Sequence, residues 1–298
     1  MTANHDELLT LRDWLRYAVS RFNSGGLFFG HGTTNAYDEA AWLILHTLHL
    51  PNDQLDPFLD ARLTGDESIA LARIIDRRVV ERLPAAYLTG EAWLRDYRFH
   101  VDQRVIVPRS YFADLIFDDA FAPWLPDCEA VSNVLDLCTG SGCLAILLAD
   151  AYPDAAVDAV DISADALEVA RRNIGDHGLD QRIRLVQSDL FAGLADRRYD
   201  LIICNPPYVT AAAIDSLPPE YRHEPMLALA AGTDGLDVVR RVLALAGEHL
   251  GPNGILAVEV GHNRAIVEKA FPWLSMVWLS AASGEDKVFL VERCALPG

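Results

Sequence analysis

The chain has 298 residues, of which 51% are hydrophobic and 23% charged, and a formal net charge of −18. That length suits one catalytic domain with a smaller companion, and the balance is that of a globular protein. No apolar run approaches the ~20 residues needed to cross a bilayer. The opening MTANHDELLTLRDWL carries acidic residues and no basic lead into an apolar stretch, so a signal peptide is not expected.

Residues 1–100 hold 10 basic and 14 acidic side chains, and the remainder 15 and 29, so both parts are acidic. A dedicated nucleic-acid binder carries a basic stripe, because neutralising phosphates supplies most of its affinity, and none is present. The negative charge serves solubility or attraction to a basic partner, and composition does not choose between them. The five cysteines (Cys128, Cys138, Cys143, Cys204, Cys294) lack a CxxC pair and read as reduced thiols of a cytoplasmic protein. The nine histidines show no HExxH spacing, so no metal site is expected. His31, between Gly30 and Gly32, reads as a loop histidine.

The first ~100 residues read as helices. Leu8, Leu11, Trp14, Leu15, Ala18, Val19 and Phe22 follow helical spacing and form one apolar face, which Gly25 and Gly26 terminate. Residues 26–37 are a loop. A second helix is predicted over residues 38–48, before Pro51, and a third over 67–83, ending at Pro84. The alternation in EAWLRDYRFHVDQRVIVPR then predicts a hairpin joining two domains.

From Ser132 onward short apolar strands alternate with helices. NVLDLCT, AAVDAVD, IRLVQSD, YDLIICN and GILAVEVG are the strand candidates, with CLAILLAD and DALEVARRNI among the helices between them. This pattern predicts an α/β domain with a parallel sheet covered on both faces. MVWLSAA and KVFLVER are read as a closing antiparallel pair.

Two constellations carry chemistry. Asp136-Leu137-Cys138-Thr139-Gly140-Ser141-Gly142 lies where a buried strand turns into a helix. Glycines there let the backbone approach a ligand, and the helix start offers free N–H donors. Asp161 ends the next strand, where an acid can bind ribose hydroxyls, and Asp189 ends the third. Either acid alone would serve as a helix cap, but three strand ends together point to a nucleoside pocket. No G-x-G-x-x-G follows the first strand, which argues against a dinucleotide dehydrogenase.

Asn205-Pro206-Pro207-Tyr208 directly follows YDLIIC. In isolation it would be a rigid turn. Beside a nucleoside pocket it suits activation of a planar amide nitrogen, whose lone pair is delocalised into its carbonyl. The Asn205 side-chain oxygen and the Pro206 carbonyl would accept both N–H hydrogens, orient the nitrogen and stabilise its growing positive charge. The prolines stiffen the loop and Tyr208 can stack on the planar group. Cys204 reads as core packing.

With DLCTGSG, Asp161, Asp189 and NPPY in this order, the chain resembles class I methyltransferases of the HemK/PrmC-like family, which modify glutamine side chains of translation proteins. One branch acts on peptide-chain release factors, the other on the third protein of the large ribosomal subunit. LRDWLRYAVSRFN, FGHGTTNAYDEAAWLILHTLHLP, VPRS and Cys138 are similar to the ribosomal-protein (PrmB-type) branch. The resemblance implies a class I Rossmann-like domain at 111–298, a helical substrate-recognition domain at 1–90 and a hairpin linker at 91–110. It implies S-adenosylmethionine as cofactor, held by Asp136, Thr139, Gly140, Gly142, Asp161, Ile162, Asp189, Leu190 and Asn205, with Asp189 near the adenine. Asn205, Pro206 and Tyr208 are the implied catalytic residues, and Pro207 and Glu224 the substrate-binding ones. After VPRS the chain reads YFADL, where the branch has a proline and then a glutamate, and Asp114 stands at the acid's place with a shorter arm. The implied partner is a basic ribosomal protein, free or in an assembling particle. Alternatives are the release-factor branch, an amino-methyltransferase of adenine or guanine, and a non-catalytic ribosome-assembly module.

Overall fold

Thr10 opens the first helix, α1 (Leu11–Ser24), through a capping box in which the Asp13 N–H donates to Thr10 and the Thr10 N–H donates to the Asp13 carboxylate. This computed structural model describes residues 7–280 and 286–297. Leu11, Trp14, Leu15, Ala18 and Phe22 of α1 are buried, the face that their spacing predicts. They meet Ala40, Leu43 and Ile44 of α2 (Ala36–Thr47) and Leu71 and Ile75 of α3 (Gly65–Val80) in one apolar core. Burying each large aliphatic or aromatic side chain contributes about 1.5–3 kcal/mol, so this core supplies most of the cohesion of the helical unit.

Three helix boundaries differ from the sequence expectation. Asn35 caps α2 by accepting from the Tyr37 and Asp38 amides, so the helix begins at Ala36 and not Asp38. Thr64 and Glu67 form a second capping box, so α3 begins at Gly65, with Glu67 as its third residue. At the far end Arg82 takes a left-handed φ of 58°, so α3 stops at Val80, ahead of Pro84. Pro84 then leads into the short α4 (Ala85–Thr89), which Gly90 closes at φ 73°.

The compact helical unit comprises Met1–Ala92, Val101–Gln103 and Pro218–His223, and the second unit holds the rest. The late segment enters the helical unit through Glu220, whose buried carboxylate accepts from Arg78, Arg82 and the Phe28 amide. Arg78 also donates to Glu39 at 2.7 Å. His31 is buried in the same unit, 4.6 Å from the Tyr221 ring. Of the predicted hairpin, β1 (Glu91–Leu94) and β2 (Tyr97–His100) pair, and the rest of that stretch has irregular backbone.

The second unit is built on a seven-stranded sheet of β3 (Asn133–Leu137), β4 (Ala156–Asp161), β5 (Ile183–Gln187), β6 (Tyr199–Cys204), β7 (Leu250–Glu259), β8 (Val277–Ser280) and β9 (Asp286–Glu292). The order is β5-β4-β3-β6-β7-β9-β8, parallel from β5 to β7, with β9 antiparallel to both β7 and β8. Ala281 and Ala282, the end of the predicted MVWLSAA strand, lie outside the described residues. The nearly unbroken apolar runs of β3, β6 and β7 fit strands covered on both faces. Intervening helices include α5 (Phe112–Phe117), α6 (Cys143–Ala151), α7 (Ala164–Asp176), α8 (Ala211–Ile214), α9 (Asp237–His249) and α10 (Arg264–Ala270).

Strand order reverses between β3 and β6, and at that point ligands of open α/β sheets sit beyond the strands' carboxyl ends. Leu137 pairs with Cys204 across the reversal and with Val160 on its other side. Register therefore brings Cys138, Asp161 and Asn205 to one rim.

Candidate active site at the strand ends

Three left-handed residues shape the turn after β3: Cys138 (φ 65°), Gly140 (φ 55°) and Gly142 (φ 78°). A Cβ on Gly140 would meet no atom within 4 Å, because that residue faces open space. One on Gly142 would lie 3.1 Å from the Ala170 side chain, so this glycine also lets α6 pack against α7. The Thr139 hydroxyl donates to Asp136 Oδ2 at 2.5 Å. Asp136 Oδ1 is buried, with no partner at hydrogen-bond distance among the described residues. Burial pushes the Asp136 carboxyl up to about 7, against the Thr139 hydroxyl and the Ala145 amide, which favour its charged form.

Asp161 ties two turns together. Its Oδ2 accepts from the Gly140 N–H and its Oδ1 from the Ser163 N–H, both at 2.9 Å. Burial raises its pKa, with the Ser163 and Gly140 amides opposing. A carboxylate has about four lone-pair directions, so two remain for a ligand.

These strand ends enclose a cavity of about 210 Å³. Cys138, Gly140, Asp161, Ile162, Asp189, Leu190, Asn205 and Pro207 line it. Of the site residues expected from sequence, Asp136, Thr139, Gly142, Pro206, Tyr208 and Glu224 are not part of this lining. Ile162 is 49% exposed, an apolar platform inside the rim. The Asp189 carboxylate accepts from Arg241 of α9 at 2.8 Å.

The NPPY loop is held on both flanks. Val209 makes a parallel bridge with Ala230, through Val209 N–H to the Leu229 carbonyl at 2.9 Å and Ala231 N–H to the Val209 carbonyl at 3.0 Å. The Tyr208 carbonyl accepts from Asn263 Nδ2 at 2.7 Å. Such pinning suits a loop whose carbonyl and amide oxygens serve as fixed acceptors.

Two expected residues have other partners. Both Glu224 carboxylate oxygens accept from Arg109, and Oε1 also accepts from the Val107 N–H, so this buried acid closes an ion pair. Asp114 faces Arg95 at 3.5 Å and is not part of the cavity lining. Arg104, Val105 and Ile106, together with Pro225, Leu227, Ala228, Ala230 and Arg241, line the cavity without having been expected as site residues from sequence. Residues 104–106 have irregular backbone and Met226–Ala228 form a single 3-10 turn, so neither wall carries a periodic signal, though VPRS, directly after the first, stood out as a motif. Among the described residues no cluster of His, Cys, Asp or Glu is arranged to hold a metal ion, and no helix is long and apolar enough to cross a membrane.

Comparison with known proteins agrees with this architecture. Residues 112–217 match the methyltransferase small domain family. The chain is 58% identical to the ribosomal protein uL3 glutamine methyltransferase of Bordetella pertussis, over 97% of each chain. It is 56% identical to that of Neisseria meningitidis serogroup A over 98% of this chain and 96% of that one. The Burkholderia pseudomallei protein of the same name is 54% identical over 100% and 99%. A solved structure of the hMettl16 catalytic domain in complex with the MAT2A 3′UTR hairpin 6 aligns with a TM-score of 0.50 at 13% identity, covering 77% of this chain and 81% of that one. That last likeness is one of fold. With relatives so similar over nearly its whole length, the chain belongs to the family of ribosomal protein uL3 glutamine methyltransferases.

Proposed function

We propose that this protein methylates the side-chain amide nitrogen of one glutamine in ribosomal protein uL3, with S-adenosylmethionine as donor. Family membership supports the substrate, and one observation carries the chemistry: Gly140, Asp161 and Asn205 line a single cavity at the reversal of strand order. The residues present fit the cofactor. Gly140 faces open space, Asp161 keeps acceptors for hydroxyls, Ile162 offers an apolar platform, and Asp136 Oδ1 is a buried acceptor still without a partner. Asp136, Thr139, Gly140, Gly142, Asp161, Ile162, Asp189 and Leu190 would hold it, with Asn205 at its reactive end. When bound, S-adenosylmethionine supplies an electrophilic methyl group.

The chain's own residues do the rest. The Asn205 side-chain oxygen and the Pro206 carbonyl accept the two N–H hydrogens of the glutamine amide and fix its plane. That geometry localises the nitrogen lone pair and stabilises the positive charge that grows there, at no reorganisation cost because the loop is already rigid. Pro207 narrows the entry and the Tyr208 ring covers the amide plane. No strong base is needed, since the amide proton becomes acidic once the nitrogen is alkylated.

The helical unit at 1–90 is assigned to recognition of uL3, residues 91–110 to linkage and 111–298 to catalysis. Glu224 acts on substrate indirectly, by fixing Arg109 beside the Arg104–Ile106 wall. The substrate places the reaction in the cytoplasm, on free uL3 or on an assembling ribosomal particle. Mass spectrometry of uL3 after incubation with enzyme and donor tests the assignment. A single methyl on one glutamine is expected, and methyl on lysine or on a terminus would refute the amide chemistry.

A further inference from the structure

Glu259, the last residue of β7, is 1% exposed. Its Oε2 accepts from the Ser110 hydroxyl at 2.5 Å and the Tyr111 N–H at 3.0 Å, and its Oε1 accepts a long 3.4 Å bond from the Tyr208 hydroxyl. Ser110 in turn accepts from the Phe112 N–H at 3.1 Å, so the contact continues into the start of α5. The same turn holds Tyr208 at two further points. A Cβ on Gly261 would lie 2.8 Å from the Tyr208 ring, so only glycine leaves that ring its seat. Asn263 holds the Tyr208 carbonyl at 2.7 Å. Tyr208 is thus gripped by hydroxyl, ring and carbonyl from one turn.

An acid is a costly choice for this place. Ending a buried strand calls for an apolar residue, and a carboxyl hydrogen-bonded by neutral donors loses solvation that the more distant Arg109 charge offsets only in small part. Among the described residues Glu259 has no ion pair. Its two oxygens instead join elements that the sheet alone leaves independent: the NPPY tyrosine and the Ser110–Tyr111 backbone. That backbone continues the segment Glu224 anchors at Val107 and Arg109, directly after the cavity wall Arg104–Ile106.

We infer that Glu259 is a positioning residue for methyl transfer, locking the Tyr208 ring to the 107–111 segment so that substrate face and cavity wall keep one register. It touches neither reacting group. The inference rests on the proposed glutamine methylation, and its test separates the two.

The full-length protein and its Glu259→Ala, Glu259→Gln, Tyr208→Phe and combined Glu259→Ala/Tyr208→Phe variants are compared in kcat, KM for uL3, cofactor dissociation constant and melting temperature. Glu259→Ala is expected to lower kcat about 10- to 100-fold, the cost of a misplaced reactive geometry, with the cofactor constant within about twofold of wild type. Glu259→Gln restores most of that loss, because its amide oxygen accepts from Ser110 and Tyr111 and its nitrogen donates to the Tyr208 oxygen. In the Tyr208→Phe background Glu259→Ala costs less kcat and less melting temperature than it does alone. Overturning results are an unchanged kcat at saturation despite a lowered melting temperature, no rescue by glutamine, or strictly additive losses. Should wild type leave uL3 unmethylated, the functional reading fails, while additivity of the melting temperatures still decides whether Glu259 and Tyr208 act together.

Discussion

Buried acids are treated differently in the two units. In the helical unit Glu39 and Glu220 share the fully buried Arg78, and Arg82 adds to Glu220. Burial raises the Glu39 carboxyl against Arg78 and Thr33, whereas for Glu220 the Phe28 amide, its own amide and Arg78 outweigh burial and hold its carboxyl below the usual range. In the second unit Asp136 and Glu259, at the ends of β3 and β7, meet only neutral donors, and burial pushes each up to about 7. Asp158, away from the rim, follows the first pattern with Arg184, Arg197 and the Tyr199 hydroxyl around it. Acids that secure the fold have arginine partners. Among the described residues Asp136 and Glu259 have no ion pair, unlike Asp189 with Arg241, and Asp136 Oδ1 has no hydrogen-bond partner. A site keeps polar groups unsatisfied for what it must bind.

That comparison sets an order of expected effects. Arg78→Ala leaves buried Glu39 without its cation and Glu220 with Arg82 alone, and should cost about 3–5 kcal/mol of stability. The midpoint of denaturant unfolding reads this out, and an unchanged midpoint would mean that the network is cosmetic. Asn205→Ala inverts the pattern. Turnover should fall about 10²- to 10³-fold, with melting temperature and cofactor affinity nearly unchanged. Loss of cofactor binding with turnover intact at saturation would move Asn205 out of its assigned role.

The third prediction concerns pH. The Glu259 carboxyl sits at about 7 in the fold against an ordinary 4.5, so the native state prefers its protonated form. The resulting stability is fully present below pH 4.5 and is lost as pH rises to about 7, amounting to roughly 3 kcal/mol. Glu259→Gln cannot ionise and escapes that loss. Its melting temperature relative to wild type should therefore climb between pH 5 and pH 8, on the order of several degrees. A flat difference would show that Glu259 titrates in the ordinary range.

Asp161→Ala removes the acceptor shared by the Gly140 and Ser163 amides and should raise the cofactor dissociation constant about 10- to 100-fold, with turnover at saturation largely kept. Calorimetry separates this outcome from that of Asn205. The smallest effect concerns charge. With a net charge of −18, association with a basic protein should slow as salt rises, because attraction reaches only about 8 Å at physiological ionic strength. Salt-independent association would exclude steering.

Periodicity and punctuation made much of this legible in advance. Alternating strands and helices announce the parallel sheet, and DLCTGSG, Asp161 and NPPY fall where register gathers strand ends. What stayed hidden depends on long-range pairing. Nothing local in Pro218–His223 says that Glu220 belongs beside Arg78, 142 positions earlier. The cavity walls at Arg104–Ile106 and around Leu227 and Ala228 are irregular backbone and a single 3-10 turn, too short for a period to mark them. The resemblance implies a substrate role for Glu224, but nothing local to that residue shows that its partner is Arg109. Helix starts were misplaced by two residues where Asn35 and Thr64 act as caps, a signal present in the residues themselves.

The central claim is tested most directly by label transfer. Purified protein and tritiated S-adenosylmethionine are offered uL3, a release factor, DNA and RNA separately. The account predicts label on uL3 alone, traced to one glutamine and abolished by Asn205→Ala. Label on the release factor would contradict the substrate while leaving the amide chemistry intact, and label on nucleic acid would contradict both.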